Sequence, residues 1–144
     1  MSERKDAPMI VSACLAGLDT NYKGESKPHP EVTYLVKEGK AILACPEQLG
    51  GLTTPREPAE RLRERVVTKS GNDVTRQFER GADIFAQLVE MAGATTCILK
   101  ARSPSCGVGC TYDGTFSDNL IKRDGVTAER LRRLDVELLT EEDL

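Results

Sequence analysis

The chain has no tryptophan, and its three tyrosines and three phenylalanines amount to 4% of the residues, so a core has to be assembled from Leu, Val, Ile and Ala. Histidine occurs once, as His29, and reads as a surface or helix-entry residue rather than a ligand. Basic residues are not in excess: 20 Lys and Arg against 23 Asp and Glu give a net charge of −3, which argues against a nucleic-acid polymer as partner. There is no long hydrophobic run. The apolar stretch from Met9 to Leu18 is too short to span a bilayer, and the charged opening Ser2-Glu3-Arg4-Lys5-Asp6 does not read as a signal peptide. A cytoplasmic protein with no membrane partner is expected. Internal repeats, low-complexity tracts and long linkers are also missing, and 144 residues suit one domain over 1–144.

Against these absences stand five cysteines, at positions 14, 45, 97, 106 and 110. In a reducing compartment such residues are more often metal ligands, nucleophiles or small buried hydrophobes than disulfides. Position in the chain sorts them. Met9–Ala13, Ala41–Ala44 and Thr96–Lys100 read as short buried strands, and helices are expected from Pro30 to about Gly39, from Asp73 as N-cap to Gly93, and from Thr127 as N-cap through Leu134. Pro58–Leu62 reads as a helical turn, Arg65–Thr68 as a strand, and Val136–Leu139 as a short terminal segment. This alternation predicts an α/β fold: a single Rossmann-like three-layer domain on a mostly parallel sheet.

In such sheets ligands bind beyond the carboxyl ends of the strands. Cys14, Cys45 and Cys106 each follow a predicted strand or lie in the loop after it, so they can converge on one crevice, whereas Cys97 lies within a strand and reads as core. Three thiolates select a soft metal: zinc, copper(I) or an iron-sulfur cluster. Zinc sites bring ligands in close pairs, and only Cys106 and Cys110 approach that spacing. Widely spaced single cysteines suit a [4Fe-4S] cluster, which with three cysteine ligands would keep one iron open as a Lewis acid. Cys110 reads equally as a spare thiol, a fourth ligand or a redox partner of Cys106.

The neighbours of these cysteines carry the remaining chemistry. Glu47, two residues after Cys45, is placed for proton transfer. Ser103 and Ser105 could hold or activate a small ligand, the amides of Gly50, Gly51 and Gly107 could bind an oxygen, and Arg56 and Lys100 could meet an anionic group. Glu60, Glu64 and the Arg61/Arg63/Arg65 set read as a solvated mixed-charge face.

Six ordered motifs, spanning about Ile10 to Glu141, resemble a family long catalogued as a domain of unknown function that contains the bacterial thiouracil desulfidases. They are Cys14-Leu15-Ala16-Gly17; Cys45-Pro46-Glu47 with Gly50-Gly51-Leu52 and Pro55-Arg56; Asp73-Val74-Thr75; Ser103-Pro104-Ser105-Cys106-Gly107; Tyr112-Asp113-Gly114-Thr115-Phe116; and Gly125-Val126-Thr127-Ala128. The resemblance implies an oxygen-sensitive [4Fe-4S] cluster on Cys14, Cys45 and Cys106, acid-base roles for Glu47 and Ser103, and non-redox conversion of a thiolated pyrimidine such as 2-thiouracil to uracil and sulfide. Substrate contacts are expected from Ser105, Gly50, Gly51 and Arg56. Where the family often has Arg/Lys-Tyr-Asp-Gly, this chain has Asn21-Tyr22-Lys23-Gly24 in a loop expected to shape the pocket. Two other classes fit the cysteines: a metal- or cluster-binding protein without turnover, and sulfur transfer through a cysteine persulfide.

Overall fold

The computed structural model describes residues 6–144. Four short strands form a wholly parallel sheet: β1 (Met9–Ser12), β2 (Ala41–Ala44), β5 (Thr96–Leu99) and β8 (Glu137–Thr140), in the spatial order β2-β1-β5-β8. Register pairs Ile10 with Ile42 and Cys97, and Leu99 with Thr140. Between β1 and β2 lies helix α1 (Pro30–Lys37); β2 is followed at once by α2 (Pro46–Leu49). A hairpin of β3 (Ala59–Leu62) and β4 (Arg65–Thr68) precedes the long α3 (Thr75–Ala92). After β5 come a second, two-residue hairpin, β6 (Thr111–Tyr112) with β7 (Leu120–Ile121), and then α4 (Val126–Leu131).

The period-2 alternation of the strands decides which helix covers which face. Ile10, Cys97 and Leu99 point one way, into Phe85, Ala86 and Val89 of α3 and Ala128 and Leu131 of α4. Val11 and Ile98 point the other way, onto Val32 of α1 and Leu15. Both faces of every central strand are therefore buried, which is why these strands are runs of Ile, Val and Leu rather than alternating patterns. The result is the expected three-layer α/β arrangement.

Several local readings change. Ala59–Leu62 is a strand, not a helical turn: it pairs antiparallel with β4, and Arg63 takes the positive φ (56°) that the turn requires. The segment after Cys45 is a turn of helix with Cys45 at its N-cap and Pro46 in its first turn, where a missing N–H costs nothing. Helix α4 is capped by Gly125 rather than Thr127, because its first amides already have partners in the loop before it. Gly125 N–H donates to Gly107 O, Val126 N–H to Pro104 O and Thr127 N–H to Ser105 O. The Thr127 side chain is instead fully buried. Helix α3 starts one residue after Val74, and Asp73 Oδ1 accepts from Thr75 N–H just ahead of it. Gly93 ends α3 as expected, in the left-handed conformation (φ 68°).

Candidate active site

The carboxyl ends of β1, β2 and β5 open onto a cavity of about 650 Å³. Cys14, in the 3₁₀ turn Ala13–Ala16 that continues β1, lines it, as do Cys45 after β2 and Cys106 in the loop after β5. The three cysteines are thus brought together by one strand order from positions 92 residues apart. Cys97 is in the core with no exposure, and Cys110 is half-buried outside the cavity lining.

Burial pushes the Cys14 thiol up to about 11, with the neighbouring Cys45 adding to the rise and Lys100 opposing it. Cys45 is also raised, chiefly by burial. Cys106 is pushed up to about 12 by burial, against the pull of hydrogen bonds from Ser12 and Ser105, with Cys45 and Cys14 contributing further. Each thiolate is thus costly without a compensating cation, and the three are near enough to feel one another. Among the described residues no three His, Cys, Asp or Glu side chains are arranged to hold a single metal ion. Three thiols facing one cavity are the donor chemistry that an iron-sulfur cluster would need.

One wall is a polar chain. Glu47, on α2, accepts from Arg56 Nε at 2.8 Å through Oε1 and from Ser105 Oγ at 3.1 Å through Oε2. Ser105 and Ser103 hydroxyls lie 3.1 Å apart, and Ser103 Oγ accepts the amides of Ser105 (3.2 Å) and Cys106 (3.0 Å). Both amides can only donate, so the Ser103 hydroxyl proton is left for Ser105, whose own single proton faces Glu47 Oε2 at 3.1 Å and, at the longer distance of 3.6 Å, Cys106 Sγ. Arg56 is held in turn by Thr20 O (2.9 Å), Thr54 Oγ1 (2.8 Å) and Thr53 O (3.1 Å). The guanidinium expected to meet an anionic ligand is thus engaged with Glu47, in an ion pair whose side chains are 8% and 14% exposed.

Lys100 lines the cavity beside Cys14, and its ammonium is paired with Glu141 Oε2 at 2.7 Å. Gly50 and Gly51 are not among the lining residues. Gly50 serves packing: a Cβ there would lie 1.9 Å from Gln77 O of α3, so α2 and α3 touch backbone to backbone. His29 caps α1, its Nδ1 accepting from Glu31 N–H at 3.2 Å.

Sequence reasoning missed Glu60 and Ser12. Glu60 is not part of a solvated face: it lines the cavity, while its neighbour Arg61 is buried and bonded to Asp124 O and Glu129. The signal was available, since a strand over 59–62 puts adjacent residues on opposite faces. Ser12, 3% exposed, donates to Cys106 Sγ.

Comparison with known proteins shows the family. Residues 9–143 match the family described as 2-thiouracil desulfurase. The protein YbbK of Bacillus subtilis (strain 168), described as uncharacterized, is 40% identical over 146 residues, which span 94% of this chain and 97% of that protein. A solved structure described as the [4Fe-4S]-dependent thiouracil desulfidase TudS is similar with a TM-score of 0.90 and 44% identity, covering 95% of this chain and 92% of that one. The chain belongs to the 2-thiouracil desulfurase family.

Proposed function

We propose that this chain is, as one domain, a [4Fe-4S]-dependent desulfidase that replaces the sulfur of a thiolated pyrimidine such as 2-thiouracil with oxygen from water, giving uracil and sulfide without net redox change. The observation that carries the reading is the meeting, in one cavity, of three remote thiols with the Glu47–Ser105–Ser103 chain. Cys14, Cys45 and Cys106 would hold the cluster. When bound, it would supply an iron lacking a protein ligand, a soft Lewis acid that prefers sulfur to oxygen and so distinguishes substrate from product.

The chain's own residues handle protons and position. Glu47 takes the proton of the incoming water, and Arg56 keeps the carboxylate aimed by its 2.8 Å bond to Oε1. Ser103 is fixed by two backbone donors, so its hydroxyl is oriented before substrate arrives; Ser105 links it to Glu47.

A persulfide route asks for an accessible thiol of lowered pKa. Cys106, the cavity thiol that would carry the sulfur, is instead 3% exposed, and burial pushes its pKa up, which does not suit it to that role. Five free cysteines suit a cytoplasmic setting, and no helix among the described residues is long and apolar enough to cross a membrane.

The test is anaerobic reconstitution with iron and sulfide, followed by an assay of sulfide release from 2-thiouracil. Glu47→Gln and Ser103→Ala should each lose sulfide release and keep the cluster's visible absorption. Unchanged turnover in both variants would overturn the assigned mechanism.

A further inference from the structure

Among the described residues four side-chain-bearing positions adopt positive φ, and three of them line the cavity: Arg102 (63°), Phe116 (56°) and Asp118 (62°). The fourth, Arg63 (56°), is accounted for by the β3–β4 turn. For a large aromatic residue this backbone conformation is an outlier that persists only when the surroundings impose it. The surroundings here are specific. Glu60 Oε1 accepts both Gly114 N–H (3.0 Å) and Phe116 N–H (3.1 Å), tying the loop to β3 from inside the cavity wall. Gly114 backs onto that strand so closely that a Cβ would lie 2.7 Å from Arg61 O, and Asp113 N–H closes the loop base on Asn119 O at 2.9 Å.

Packing does not explain the arrangement, since Phe116 is half-buried and belongs to none of the three hydrophobic clusters of the core. A strained aromatic residue that contributes nothing to the core and stands on a cavity wall has its use in what enters the cavity. We propose that Phe116 is a substrate-positioning residue: Glu60 clamps the 113–119 loop so that the Phe116 ring forms an apolar wall on which the flat face of the pyrimidine stacks. This rests on the desulfidase reading above and adds to it how the ring is oriented.

Strain used for function leaves a signature that a packing role does not. Glycine adopts the required φ freely, so Phe116→Gly should melt at or above the wild-type temperature. With the stacking surface gone, KM for 2-thiouracil should rise about tenfold with a smaller change in kcat, and Phe116→Tyr, which keeps the ring, should stay near wild type. Equilibrium dialysis of 2-thiouracil against the loaded Glu47→Gln protein, with and without Phe116→Gly, reads the same loss without turnover. A lower melting temperature together with unchanged KM and unchanged dialysis would make Phe116 a structural residue and overturn the proposal. That result would leave sulfide release by the wild type intact, whereas a loaded wild type that releases no sulfide overturns the desulfidase reading itself.

Discussion

Ser12 Oγ lies 3.3 Å from Cys106 Sγ, and the proton between them is directed, because the same oxygen accepts the backbone N–H of Lys100 at 2.9 Å. An amide can only donate, so the single hydroxyl proton of Ser12 is left for the sulfur. The relationship arises where the β1–β5 ladder runs out: Ile10 pairs with Cys97 and Val11 with Ile98, and one step on a side chain takes over from the backbone.

A hydrogen bond to a ligating sulfur is one of the levers that set a cluster's potential. Ser12→Ala should load a cluster with a lower midpoint potential and faster bleaching in air, at a stability cost of about 1 kcal/mol from the orphaned Lys100 amide. Ser12→Thr should restore both. Voltammetry of the loaded variants, with urea melts of the same proteins, checks this.

Arg56 grips Glu47 and four other partners at once, Cys45 Sγ at 4.0 Å among them, with the fixed fork of a guanidinium. Arg56→Lys keeps the charge and loses that geometry. Sulfide release should fall by about 10- to 100-fold while iron content stays at the wild-type level, as a steady-state assay with parallel iron counting will show.

Gly50→Ala would put a methyl 1.9 Å from Gln77 O, a backbone atom that cannot step aside. The α2–α3 contact should open at a cost of about 1–3 kcal/mol, read as a lower urea midpoint. Because α2 carries Glu47 and starts at Cys45, activity should drop further than stability alone accounts for.

Cys97 isolates a pH effect from the site. Burial pushes its thiol up to about 12 from the ordinary 9.0. The folded pKa is the higher one, so the neutral thiol stabilises the fold fully below pH 9, and the contribution is lost as pH rises through 9 toward 12. In the cluster-free protein, unfolding free energies from urea melts should decline between about pH 8 and about pH 10.5. Cys97→Ala should show a shallower decline, by at most about 1.4 kcal/mol per pH unit.

The strand-end placement of Cys14, Cys45 and Cys106 was legible because buried parallel strands are continuous apolar runs, and the residue that breaks each run marks the sheet edge. Cys97 was legible for the same reason, inside a run. What escaped depends on tertiary partners. Thr127 looks like a cap until the carbonyls of Pro104, Ser105 and Gly107 supply acceptors for the first amides of α4. Glu60 looks like a surface charge until the β3–β4 hairpin turns it inward against the amides of a loop more than fifty residues away. Arg56 was placed near the site correctly, but only the fold shows that its fork is committed to Glu47.

The central claim is that three of the five cysteines hold one cluster. It is tested most directly by counting iron and acid-labile sulfide per chain after anaerobic reconstitution of single cysteine variants. Wild type, Cys97→Ala and Cys110→Ser should each carry about four irons per chain, and Cys14→Ser, Cys45→Ser and Cys106→Ser should each lose the intact cluster. Full loading in any of those last three, or loss of the cluster in Cys110→Ser alone, would contradict the account.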